Sequence, residues 1–164
     1  MIKRFILGSR ETVAGTVYGT IVVLAVLAAG ADKYKTHLWR LDAIAATGAV
    51  VLWLAHVYSH ALGESLSEGH RLDAREVAGI ARREYAVVLA AVPPVVVLGL
   101  GAAGLFSASA AIWAAFGVGV VTLGAQGVRY ARLEELSLGA SIVSVTFNLA
   151  LGLSLVAAEV VVSH

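Results

Sequence analysis

His56, His60 and Glu64 stand four residues apart near the end of an apolar stretch that begins at Ala43. On a helix, steps of four drift by about 40° each, so the three side chains share a band roughly 80° wide. Neutral imidazole and carboxylate suit divalent transition metals, and imidazole titrates near physiological pH. The face therefore predicts a metal site or a proton relay. The competing reading gives the histidines hydrogen bonds across helices and leaves Glu64 as an interfacial charge. Titratable groups on an apolar helix are costly to keep, which makes this face the first place to look for function.

The elements that must hold it are membrane helices. Apolar residues make up 59% of the 164-residue chain and charged residues 14%, far below the usual charged share of about a quarter. Between Tyr85 and Arg129 run 43 residues without Asp, Glu, Lys or Arg. As one straight helix they would reach about 65 Å, twice the hydrocarbon thickness of a bilayer, so the run must fold back on itself. Placing its turn at residues 104–109 puts Pro93 and Pro94 inside the third span as a kink. The pattern predicts an all-α, polytopic membrane bundle in a single domain, 1–164. Its five spans fall at 13–30, 43–62, 86–106, 108–128 and 138–162.

Lys and Arg fix the expected direction. With the amino terminus in the cytoplasm, that side carries Lys3, Arg4, Arg10, Arg71, Arg75, Arg82, Arg83, Arg129 and Arg132, against Lys33, Lys35 and Arg40 outside. The first span has an alternative reading as a signal peptide, since a basic start leads into an apolar core and the small residues 28–31. Thr12, Thr16, Tyr18 and Thr20 interrupt that core, and Gly15 with Gly19 forms a small-xxx-small pair suited to close helix packing, so a retained helix is expected. Residues 64–85 form a cytoplasmic segment with a short helix, announced by the capping-box pair Asp73 and Glu76.

On this layout the His56, His60 and Glu64 face lies in the cytoplasmic half. Polar residues of other helices fall at similar depth: Tyr18 in the first, Gln126, Arg129 and Tyr130 in the fourth, Ser141, Ser144 and Asn148 in the fifth. The outer half carries little beyond Thr47, Ser154 and Glu159. Polar groups in hydrocarbon must pair or line water, so a cytoplasm-facing pocket lined by Tyr18, Tyr58, Gln126, Arg129, Ser144 and Asn148 is expected. The bland reading makes Gln126, Ser144 and Asn148 interhelical glue. Seams of small residues such as Ala110, Ala114 and Gly117 suggest close helix approach and a homo-oligomer.

Several classes of function are disfavoured. A net charge of +1 with no basic face gives no surface for nucleic acid. The absence of cysteine removes thiolate metal sites, iron–sulfur clusters and cysteine nucleophiles. There is no HExxH, GxSxG or phosphate-binding glycine loop, so an enzyme is not expected. A weak 70-residue echo aligns Val50–Val51 and Glu64 with Val120–Val121 and Glu134, which the shared composition of membrane-helix ends accounts for.

The helix end from Ala55 to Ser67, AHVYSHALGESLS, followed by Glu68, Glu76 and Glu84, resembles the vacuolar iron transporter family, as do the Pro-bearing third span and the tight hairpin after it. That resemblance implies five membrane helices and an acidic cytoplasmic segment between the second and third. The family's acidic residue in the first helix and methionine in the second have no counterpart here beyond Glu11, at the helix mouth, and Met1. The expected function is a small transporter or channel for a divalent metal ion or proton, in a bacterial-type inner membrane, with the lipid bilayer and further copies of itself as partners. The alternative is a non-catalytic membrane protein that binds a lipid or a partner helix.

Overall fold

Seven helices make up the described part of the chain: α1 (Arg10–Gly30), α2 (Leu38–Glu68), α3 (Ala74–Arg83), α4 (Tyr85–Leu89), α5 (Val92–Ala102), α6 (Ala108–Leu133) and α7 (Leu138–Val162). The computed structural model describes residues 10–162, without the side chains of Arg10, Glu11, Glu159 and Val162. Expectations resting on Lys3, Arg4, Glu11 or Glu159 lie outside the described residues. Four helices, α1, α2, α6 and α7, are long and apolar enough to cross a membrane, and the bent α3–α4 and α5 pair makes a fifth if it counts as one span.

The second helix departs from expectation at its end. Nothing in Gly63–Glu68 stops a helix, so α2 continues to Glu68, and Glu64 and Glu68 sit on it rather than in a separate segment. Gly69 then turns the chain with φ 70°, a left-handed conformation that glycine adopts without a Cβ clash, and its N–H bonds Ser65 O at 3.1 Å. The Ser65 hydroxyl donates to His70 O at 2.8 Å and pins the reversal. Asp73 caps α3 by accepting from the backbone N–H of Arg75 and Glu76, while Glu76 accepts from Asp73 N, so the capping box forms as expected.

The third span is bent by 48° between α3–α4 and α5. Pro93 and Pro94 sit in the first turn of α5, where a missing N–H and a fixed φ are tolerated, so the break falls at Ala90–Ala91, just ahead of them. Gly104, at φ 85°, and Ser107, which caps α6 through Ala110 N, make the hairpin into α6 within the expected turn.

Close backbone approach holds the bundle together. A Cβ on Gly19 would lie 2.4 Å from Val87 O, so the Gly15–Gly19 stripe packs directly on α4. A Cβ on Gly101 would meet Ala111 Cβ at 2.3 Å and Leu38 at 2.9 Å, which joins α5 to α6 and α2. The core gathers Leu24, Leu27, Leu41, Leu98, Phe116 and Leu123 around α6. Val51, Leu54, Tyr58 and Leu66 on α2 and Ile142, Val143, Phe147 and Leu153 on α7 are exposed, an apolar surface far larger than water favours.

Candidate functional site

At the end of the bundle where α3 meets α4, the α2 face draws in partners from three helices. The Tyr18 ring of α1 lies 4.8 Å from that of His56, tilted by 51°, and the rings of His56 and His60 stack at 6.4 Å with 22° between their planes. His56 Nδ1 stands 3.1 Å from Leu52 O. A carbonyl can only accept, so in this contact Nδ1 is the donor. His60 Nε2 lies 3.7 Å from Glu84 Oε1, at the α3–α4 junction. Glu84 is mostly buried and His60 about half exposed, so the ring bridges the bundle wall and solvent. Tyr18, His56, His60 and Glu84 thus form a continuous file.

Among the described residues, His56, His60 and Glu64 are not a group whose ligand atoms come within 4.8 Å of one another. Glu64 accepts a short charge-assisted hydrogen bond from Arg83 of α3. About three turns earlier on α2, Trp53 Nε1 donates to Ala81 O at 3.1 Å. These two bonds and buried Ile80 dock α3 along α2, which is how the sequence carries Glu84 to His60.

Among the described residues, the group whose ligand atoms all come within 4.8 Å of one another is Glu68, His70 and Glu76, at the far end of the same docked pair. His70 Nδ1 lies 3.6 Å from Glu68 and Nε2 3.5 Å from Glu76. All three are exposed, beside a cleft of about 380 Å³ that Glu64, Glu68, Glu76 and Arg83 line in part. One imidazole nitrogen and two carboxylates are donors suited to a divalent metal. Sequence reading named Glu68 and Glu76 as acidic groups but passed over His70, because only the Gly69 turn brings it back between them.

The other expected pocket residues belong elsewhere. Arg129 donates to Gln126 at 3.3 Å, Ser144 to Gly127 O at 3.4 Å, and Asn148 to Ser144 O at 2.9 Å. These bonds run along α6, along α7 and between the two, and a Cβ on Gly127 would lie 2.9 Å from Val145 Cα. Buried Gln126 and these neighbours therefore serve the packing of α6 against α7. Tyr58, 70% exposed, points away from the file. Tyr18 alone of the expected lining residues joins the histidines.

One residue escaped the sequence reading. Asp42 Oδ1, near the opposite end of α2, is sealed from solvent and has no hydrogen-bond partner among the described residues, although the residue as a whole is partly exposed. Its other oxygen lies 3.5 Å from the place a Cβ would take on Gly99 of α5. Beside Lys33, Lys35 and Arg40 it reads as one more charge bordering a span. The signal was its spacing of 18 residues, five whole turns, from His60. No family model, curated protein or solved structure matches this chain.

Proposed function

We propose that this chain is a five-span integral membrane protein that moves a cation across the bilayer, not an enzyme. The proton is the favoured cargo over a divalent metal. The amino terminus lies in the cytoplasm, so the file opens on the cytoplasmic side of a bacterial-type inner membrane. The observation that carries the reading is the Tyr18, His56, His60 and Glu84 file, in which stacked imidazoles lead to a mostly buried carboxylate. Imidazole accepts a proton on one nitrogen and releases one from the other, so a ring poised beside a carboxylate can pass protons inward or outward. Glu64 is taken by Arg83, and among the described residues His56, His60 and Glu84 do not bring their ligand atoms within 4.8 Å of one another, which favours the proton.

The metal branch keeps the Glu68, His70 and Glu76 group as an entry site for a divalent ion. Lipid, and further copies of the chain in a homo-oligomer, cover the exposed faces of α2 and α7. The discriminating experiment reconstitutes purified protein in liposomes and compares the response of a trapped pH dye with uptake of zinc, manganese and iron. Proton movement without metal uptake supports the favoured branch. Metal uptake without proton movement replaces it. Neither movement returns the chain to a second reading, a membrane protein that binds a lipid or partner helix, which the wide apolar face of α7 favours.

A further inference from the structure

Five whole helical turns separate Asp42 from His60, so the two side chains leave α2 in the same direction, about 27 Å apart along its axis. That distance is close to the hydrocarbon thickness of a bilayer. At one end this face meets Gly99 of α5, and at the other it meets Glu84 beside α4. One seam, between α2 and the bent third span, therefore has a carboxylate at either end. Between them α2 presents Ala45 and Ala49, small and buried, and then Trp53. Across the seam the bent span breaks at Ala90–Ala91, where Pro93 and Pro94 leave the carbonyls of Leu89 and Ala90 without a helical N–H four residues on.

Among the described residues, no ion pair explains the sealing of Asp42 Oδ1, although the residue as a whole is partly exposed. α5 carries no ionisable residue, α1 none after Tyr18, and α6 none before Arg129. The nearest charged group on its own helix, Arg40, lies over the Trp39 ring at 5.3 Å, and Lys33 of the preceding turn lies over Tyr34 at 5.4 Å. The same turn carries Asp32, Lys35 and His37, whose Nδ1 pairs with Thr36 Oγ1 at 3.0 Å. A carboxylate oxygen shut away from both water and donors is costly as a lone anion, and the larger part of that cost is relieved when the group holds a proton.

We propose that Asp42 is the outer proton-exchanging carboxyl of the same path whose cytoplasmic end is His60 and Glu84. This rests on the transport reading above. A proton arriving from outside protonates Asp42, which passes it to water entering the seam at the freed carbonyls of Leu89 and Ala90; that water protonates an imidazole of the file, the ring releases a proton to Glu84, and Asp42 is ready for the next.

The test uses the full chain in liposomes with a trapped pH dye, together with infrared difference spectra of the same membranes between acid and alkali. Asp42→Asn is close to isosteric and removes the titratable group, while Asp42→Glu restores it. The expected result is at least a tenfold loss of proton flux in Asp42→Asn, recovery in Asp42→Glu, and loss of a protonated-carboxyl band from the difference spectrum of Asp42→Asn. If Asp42→Asn keeps wild-type flux while His60→Ala loses it, the Asp42 proposal is wrong and the cytoplasmic file stands. If both variants keep wild-type flux, both readings fail. A spectrum unchanged by Asp42→Asn overturns proton exchange at this residue whatever the flux.

Discussion

His60 Nε2 and Glu84 Oε1 lie 3.7 Å apart, although 24 residues separate them and they sit on different helices. The contact exists because α2 runs on past its expected end and α3 folds back along it. On the proposed reading it gives the imidazoles a carboxylate to exchange with. Glu84→Gln keeps the shape but cannot take up a proton. Its flux in dye-loaded liposomes is expected to fall by roughly tenfold or more, the scale on which a positioned proton-transfer group acts. Glu84→Asp should retain part of it.

Trp53 is the second tie between the same elements, through its bond to Ala81 O. Trp53→Phe keeps most of the apolar bulk and removes the donor. It should cost about 1 kcal/mol, the net value of one such bond, and lower the thermal midpoint of the detergent-solubilised protein. Amide exchange should quicken in residues 74–84 and stay unchanged in α6 and α7. Uniform loss of protection throughout the bundle would contradict a local tie.

Gly19 tests the packing of the first helix against the broken one. With Val87 O at 2.4 Å and Ala90 Cβ at 2.9 Å from an added Cβ, Gly19→Val must push α1 off α4 and should cost on the order of 1–3 kcal/mol. Gly48→Ala is the control, because nothing lies within 4 Å of its added methyl. That substitution should be neutral or slightly stabilising. Thermal midpoints of the two variants separate these outcomes.

Orientation is open to a direct chemical probe, since the chain contains no cysteine. Lys35→Cys and Arg71→Cys place single thiols at opposite ends of α2. With the amino terminus in the cytoplasm, a membrane-impermeant maleimide added to intact cells should label the first and spare the second. Opened membranes should label both. The reverse pattern would invert the path and the roles of its two ends.

Much of the architecture was legible because long apolar runs and charge borders say where helices lie. The span ends at Gly30 and the capping box at Asp73 and Glu76 follow from local chemistry alone. The site was legible only in part. Spacing put His56 and His60 on one face, but Glu64 turned to Arg83, and Glu84 arrived instead, because a Gly69 turn sets how α3 docks and spacing along one helix cannot report on another. Gln126 and Asn148 shared depth with the histidines without sharing a neighbour. Depth along a bundle is readable from sequence, whereas the angle around it depends on which helices pack together.

The most direct measurement of the central claim is proton flux through the wild-type chain in dye-loaded liposomes beside the His56→Ala/His60→Ala double variant, with equal reconstitution checked for both. The account predicts acidification under an imposed inward pH gradient for the wild type, well above protein-free liposomes, and a rate close to that background for the double variant. A double variant that acidifies as fast as the wild type, or a wild type no faster than empty liposomes, would contradict it.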